Sequence, residues 1–296
     1  MNLQPDSKIL FQGITAELSA THAVQMKVYG TKVVAGVNPG LGGQTFDDIP
    51  VFDLVEQALA EVGAIDTTLI FVPAYQALDA ALEAISAGIK QIIIVSSGMP
   101  PLDMVHLLRK AEATETIIVG PNSPGIIVPG KLLLGTHRSE FYIPGAVGIV
   151  SRSSTLTYEI ALELTKAGLG QSMAVSIGGD AIAGSSFLQW LQMFDVDDAT
   201  EVIVLVGELG GNSEEAAAHY IADTIKKPVI AYIAGRKAPA GRHWGHTGTL
   251  AAVVGRGANV GTAQSKLAAF KAAKIAIAEK PSQIPDLVKK ALKKPK

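Results

Sequence analysis

The chain has 296 residues, 48% of them hydrophobic, with a mean hydropathy of +0.31; that is enough apolar material for a large core and, by length, for two domains. Charged residues make up 18%, which excludes a disordered or coiled-coil chain, and 25 Lys+Arg against 27 Asp+Glu give a net charge of −2, which excludes an overall basic field for nucleic acid. There is no cysteine, so disulfides, thiolate metal sites, iron–sulfur clusters and a cysteine nucleophile are excluded, and a reducing cytoplasmic setting is the expectation.

The opening MNLQPDSKIL lacks a basic region followed by a long apolar run, so it does not read as a secretory signal, and no stretch approaches the roughly 18 apolar residues of a membrane span. The expected strands are Lys8–Gln12, Lys32–Val37, Thr68–Val72, Gln91–Val95, Ile117–Gly120, Val147–Val150, Met173–Ile177, Val202–Val206 and Val229–Ile233. Most are continuously apolar, as strands covered on both faces must be. Helical patterns lie between them. Val55, Leu59 and Val62 share a face before Gly63; Leu78, Leu82 and Ile85 do so before Gly88; Leu156, Ile160 and Leu164 do so before Gly168. The rhythm predicts an α/β chain of parallel βαβ units with right-handed crossovers. The Pro/Gly-rich segment Pro121–Gly145 breaks it. The domain boundary is placed near 125–145, with two doubly wound domains assigned as 1–130 and 131–296. The basic ending KKALKKPK reads as a solvated helix end.

The common site motifs are absent: no P-loop, no clean G-x-G-x-x-G after the first strand and no G-x-S-x-G elbow. Asn38–Gly43 (NPGLGG) follows the second strand and reads either as backbone N–H groups offered to a phosphate or as a tight loop. His243 and His246 are three apart, but no carboxylate accompanies them, so no metal site is expected.

The most informative stretch is Ala234–Gly248, AGRKAPAGRHWGHTG, which follows a strand at a C-terminal sheet edge, where ligands bind in open α/β sheets. A histidine flanked by Gly245 and Gly248 can be approached closely, and a neutral imidazole is a nucleophile toward phosphorus; the plainer reading is a loop histidine bonded to backbone. Ser151–Tyr158 (SRSSTLTY) joins a strand to a helix, either as an anion site at the helix N-terminus or as ordinary N-capping. Glu208 in GELGG ends another strand. It reads either as the carboxylate that accepts the second ring N–H of a histidine or as an exposed turn residue.

GVNPGLGG, IPVF, GPNSPG, GIVSRSSTLTYE, SIGGD, GELGG, KPVIAYIAG and the GH-x-G loop, in this order along nearly the whole length, resemble the succinyl-CoA synthetase α-subunit family within the acyl-CoA synthetase (NDP-forming) and ATP-citrate lyase superfamily. The resemblance implies an N-terminal Rossmann-like CoA-binding domain and a C-terminal flavodoxin-like ligase domain. It implies an ATP-grasp β subunit (αβ or α2β2) carrying ATP or GTP with Mg²⁺, with succinate and CoA as further substrates. The family's phosphorylated histidine falls on His246 and its carboxylate partner on Glu208. Phosphate-binding positions fall on Ser153 and Ser154, and the substrate tyrosine on Tyr158. CoA positions fall on Thr15, Ala16, Glu17 and Leu18, on Leu41, and on Val95, Ser96 and Ser97. The implied chemistry passes phosphoryl from nucleotide to His246 and on to succinate, after which the CoA thiol attacks the acyl phosphate.

The chain departs from the family pattern mainly at the CoA end. Ala16 and Ser19 stand where glycines are usual, Ser97 where a glutamate is common, and Ser123 where a cysteine is common. Leu41 replaces a phosphate-facing lysine, a charge-assisted contact worth roughly 1.5–3 kcal/mol, which Lys27 or Lys32 could replace. His243, Trp244 and Thr247 also differ from the family around the histidine. The departures keep open a malate– or citrate–CoA ligase and a non-catalytic regulatory paralogue; a nicotinamide dehydrogenase is disfavoured by the missing dinucleotide fingerprint.

Overall fold

Each aliphatic run read as a strand is one in the computed structural model, which describes residues 3–15, 17–238 and 261–293, and only the backbone of Glu17 and Leu18. The chain runs β1 (Lys8–Gln12), α1 (Glu17–Tyr29), β2 (Lys32–Val37), β3 (Thr45–Phe46), β4 (Ile49–Phe52), α2 (Val55–Val62), β5 (Thr67–Ile70), α3 (Ala77–Ser86), β6 (Gln91–Ile94), α4 (Pro101–Ala113), β7 (Ile117–Val119), β8 (Gly125–Val128) and β9 (Leu132–Gly135). It continues β10 (Pro144–Ser151), α5 (Ser154–Lys166), β11 (Gln171–Ser176), α6 (Phe187–Val196), β12 (Val202–Gly207), α7 (Ser213–Thr224), β13 (Val229–Ile233), α8 (Ala263–Ala272), β14 (Ala276–Ala278) and α9 (Ile284–Leu292). Residues group into two units, Met1–Ser139 with Ile182–Gly184, and Glu140–Ala181 with Ser185–Lys296. Among the described residues no helix is long and apolar enough to cross a membrane.

In the first unit the strand order is β3-β4-β2-β1-β5-β6-β7, parallel throughout except for β3 against β4. The chain winds outward from β1 through β2 to β4, then returns to the other side of β1 with β5. That reversal is the switch point at which open α/β sheets bind ligands. The core joins Leu10, Ile70, Ile92 and Ile94 of the strands to Val55, Ala58, Ala81, Ala84 and Leu107 of the helices. On α3 the fully covered face is Ala77, Ala81, Ala84 and Ile85, whereas Leu78 and Leu82 are half-buried on its flank. The small side chains, not the leucines, point straight at the sheet and let the helix backbone approach it.

The Pro/Gly-rich segment holds a hairpin that was not expected: β8 and β9 pair antiparallel, with Ile126, Leu132 and Leu134 wholly buried. Its turn is Val128–Pro129–Gly130–Lys131, closed by the Lys131 N–H on the Val128 carbonyl at 3.0 Å, with Gly130 at φ +73°. Proline pre-sets the first central position and glycine supplies the positive φ at the second. The residues that look like breakers are therefore the hairpin's own connection.

In the second unit β14-β13-β12-β10-β11 form a parallel series. The first strand, β10, passes to β11 on one side and then to β12 on the other, so the reversal lies between β10 and β12. Val147, Ile149, Val150 and Val202–Val206 fill the sheet, and Trp190, Leu191 and Phe194 of α6 cover it. Gly148 gives room to Phe194: a Cβ there would lie 2.6 Å from the ring.

Two predictions follow from these cores. Gly148→Ala pushes against a fully buried ring and costs about 1–3 kcal/mol, read as a lower urea midpoint at unchanged slope. His137, 3% exposed, sits 3.1 Å from the Gly125 carbonyl through Nε2; burial lowers its pKa from 6.5 to about 4, outweighing the raising effect of that bond. The unfolded imidazole takes up its proton first as pH falls. The stabilisation is therefore complete above pH 6.5 and lost between 6.5 and about 4, at up to about 1.4 kcal/mol per pH unit. Urea midpoints at stepped pH check this, and His137→Asn removes that part of the slope.

Candidate active site

The second unit brings two of the loops singled out by sequence to one sheet edge. Ser151 at the end of β10 pairs in register with Val206 of β12, and the Arg152 N–H donates to the Val206 carbonyl at 3.0 Å. Ser153 and Glu208 therefore leave neighbouring strands at the switch point. Ser153 is the N-cap of α5; its Oγ accepts the Leu156 N–H at 3.5 Å, and its own N–H donates to Ser151 Oγ at 3.0 Å. The capping reading of Ser153 is thus realised. A hydroxyl that accepts through a lone pair still has its proton to give, so capping and anion binding are compatible. Ser154, half-buried, is the first residue of α5. Tyr158 lies one turn on, half-buried; its neighbour Tyr142 has its hydroxyl pKa raised well above the usual value by burial first and by Tyr158 second.

Glu208 is half-buried directly after β12. Its turn is tied to both described ends of the histidine segment: the Ala234 N–H donates to the Gly207 carbonyl at 3.0 Å, and the Gly210 N–H donates to the Gly261 carbonyl at 2.9 Å. His243 and His246 themselves lie outside the described residues. Among the described residues no group of three or more His, Asp or Glu could hold a metal.

Beneath these loops lies a cluster of charges that the motifs did not reveal. Glu214, with no exposure, accepts the Glu208 N–H at 3.1 Å, Arg152 Nη1 at 3.1 Å and the Ser213 hydroxyl at 3.0 Å, and is bonded to Lys266 Nζ. Lys266, equally buried, also donates to the carbonyls of Gly210 at 2.9 Å and Gly211 at 3.1 Å, and Arg152 Nη1 donates to Gly210 at 2.9 Å. Glu215 accepts the Ser265 hydroxyl at 2.7 Å and the Gly261 N–H at 3.3 Å. Gly207 makes room for this carboxylate, since a Cβ there would lie 2.8 Å from Glu214 Oε1.

A sequence signal for the cluster existed. On α7 the buried stripe is Glu214, Ala217, Ala218 and Ile221; on α8 it is Ala263, Lys266 and Phe270. Each has a charge at a position that helical spacing assigns to the core, which is where a paired ion must sit.

In the first unit, Thr15 and the start of α1 follow β1, Leu41 follows β2, and Val95, Ser96 and Ser97 follow β6, all at the C-terminal sheet edge. Thr15 and Leu41 are half-buried and Ser97 is exposed, while Ala16 lies outside the described residues. The Ser96 hydroxyl bonds the Val72 carbonyl. Ser19 turns inward, 4% exposed, its hydroxyl on the Gly13 carbonyl at 2.5 Å, so its Cβ serves the turn and does not project from it.

Two open readings in this unit meet groups that already have partners. Asp53 Oδ1 accepts the Gly40 and Gly42 N–H groups, at 2.7 and 2.9 Å, which is the tight-loop arrangement of the segment. Lys27 Nζ is paired with Asp47 at 3.1 Å and Asp48 at 3.8 Å.

Two units, each with its candidate loops at the C-terminal edge of a parallel sheet, define a CoA-ligase type of chain. Residues 4–98 match the family model of the CoA binding domain, and residues 150–276 match that of CoA-ligase. The α subunit of ADP-forming succinate–CoA ligase from Aquifex aeolicus is 46% identical over 97% of this chain and 93% of its own; α subunit 2 from Archaeoglobus fulgidus is 46% identical over 97% of each; that from Staphylococcus aureus is 42% identical over 95% of this chain and 91% of its own. The chain belongs to the succinate–CoA ligase α-subunit family. In fold it is also similar to an ATP citrate lyase from Methanothrix soehngenii solved with citrate and coenzyme A, at TM-score 0.85 and 22% identity; this chain is covered completely and spans about half of that one (52%).

Asp53→Ala leaves the two loop N–H groups without their acceptor. Deuterium exchange at Gly40 and Gly42 is expected to accelerate about tenfold, which corresponds to roughly 1.4 kcal/mol for this partly exposed pair of bonds.

Proposed function

We infer that the chain is the α subunit of an ADP-forming succinate–CoA ligase that works through a phosphohistidine at His246. The observation that carries this reading is the tethering of both described ends of the histidine segment to the Glu208 turn, beside the N-terminus of the Ser153 helix. Ala234, before His246 in the chain, and Gly261, after it, are thus bonded beside strand ends that offer a carboxylate and a helix terminus.

The chemistry balances step by step. A ring nitrogen of neutral His246 attacks the γ-phosphorus of the nucleotide, and the bond to the ADP oxygen breaks. Glu208 accepts the other ring N–H and stabilises the cationic ring. The hydroxyls of Ser153 and Ser154 and the amino end of α5 hold the phosphoryl oxygens. A succinate carboxylate oxygen, oriented by Tyr158, then attacks phosphorus and releases neutral imidazole, giving succinyl phosphate. The CoA thiolate adds to its carbonyl carbon and phosphate leaves. The thiol belongs to CoA, which suits a chain with no cysteine. Thr15, Ala16, Glu17, Leu18, Leu41, Val95, Ser96 and Ser97 are the proposed CoA edge. An ATP-grasp β subunit supplies the nucleotide site and Mg²⁺, in αβ or α2β2, and the relatives' ADP-forming names favour ATP over GTP.

One observation favours a second reading, a regulatory paralogue with a weakened CoA site. Asp53 occupies the Gly40 and Gly42 N–H groups, and Leu41 brings no charge. A single experiment separates the two. The chain, assembled with its β subunit, is incubated with γ-labelled ATP. The ligase reading expects acid-labile, base-stable label, absent in His246→Ala, slowed tenfold to a hundredfold in Glu208→Gln, and discharged by succinate in preference to malate or citrate. A folded assembly that takes up no label overturns it.

A further inference from the structure

We propose that Glu214 is a positioning residue for phosphoryl transfer: together with Arg152 and Lys266 it holds the Glu208 backbone and the Gly210–Gly211 turn in the arrangement that aims the Glu208 carboxylate. The proposal rests on the carrier reading given above.

Three features of the cluster carry it. Glu214 Oε1 accepts the N–H of Glu208 itself at 3.1 Å, so one hydrogen bond separates the buried carboxylate from the backbone of the candidate partner. The Gly210 carbonyl receives two cationic donors, Arg152 Nη1 and Lys266 Nζ, each at 2.9 Å, and the Gly211 carbonyl receives Lys266 at 3.1 Å. A turn of two glycines has little rotational preference of its own, and here successive carbonyls are fixed by charged donors, the stronger class of hydrogen bond. Finally, Gly261, where the histidine segment re-enters the described chain, joins the same network. Its carbonyl accepts the Gly210 N–H at 2.9 Å and its N–H donates to Glu215 at 3.3 Å. The network therefore grips the turn that bears Glu208, the residue preceding Ser153, and one root of the carrier segment.

The charges balance: Arg152 and Lys266 face Glu214 and Glu215. The cluster carries no net charge, and the role assigned to it is geometric. Stability alone does not call for ions at this depth, because apolar side chains of the same volume stabilise a core as well or better. What apolar side chains cannot do is fix the rotation of a carbonyl or an N–H. A glutamine at 214 has one accepting atom and one donating atom. Either it keeps the Glu208 N–H and Arg152 and turns its NH₂ on Lys266, or the reverse, so one side of the clamp opens.

The test measures the rate of histidine phosphorylation at saturating ATP in the assembly with the β subunit, per folded molecule counted by near-UV circular dichroism. Glu214→Gln is expected to lower that rate tenfold to a hundredfold with the KM for ATP unchanged, and Glu214→Asp, which keeps the charge, to recover part of it. A merely structural role lowers the folded fraction and leaves the rate per folded molecule at the parental value; that result overturns the proposal. Should Glu214→Gln not fold, Arg152→Gln, at a slightly exposed position, removes the cation whose Nη1 serves both Glu214 and the Gly210 carbonyl, and is held to the same two outcomes. An unlabelled parent overturns the carrier reading and this proposal with it. A labelled parent whose variants match its rate overturns this proposal alone.

Discussion

The second unit is organised around a carboxylate without solvent. Glu214 is a charge that a protein interior accepts only when its lone pairs are filled, and they are filled by a lysine, an arginine, a hydroxyl and a backbone N–H from four different places in the chain. That requirement ties β10, the turn after β12, α7 and α8 to one another, because removing any donor leaves a buried charge short of its partner. Its location at the reversal of strand order, where neighbouring strand ends diverge and a crevice forms, converts a folding constraint into a constraint on the candidate site.

The first unit solves a similar problem with the same kind of group and a different result. Two glycine N–H groups pointing into one loop constitute an anion seat, and Asp53 fills it. The loop is ordered by its own carboxylate, and Lys27 is likewise occupied by Asp47 and Asp48. At this edge charge is satisfied within the protein. The edge that carries Ser153 and Glu208 holds hydroxyls at the N-terminus of α5. Leu41 and Ser97 lie at the first edge, and Ser153, Ser154 and Glu208 at the second.

Much of this was legible in the sequence because long βαβ patterns are redundant. Aliphatic runs such as Val202–Val206 are buried on both faces, and amphipathic helices stopped by glycine leave no other architecture. The short elements were not legible. β3 and β14 have too few residues to show a period, and the β8–β9 hairpin was hidden by the Pro129–Gly130 pair that in fact connects it. On α3 the leucine stripe misled slightly, since alanines hold the position nearest the sheet.

The sequence by itself determined the class of fold, the family, and the identity of the loops that carry Ser153, Glu208 and the histidines, because those depend on local periodicity and on ordered motifs. Only the tertiary structure decided which polar groups are already taken. Asp53 lies thirteen residues from Gly40 along the chain, and Lys266 lies fifty-two from Glu214. Pairings across such separations are set by which strand ends meet at a sheet edge, and a one-dimensional pattern of residues does not contain that distance.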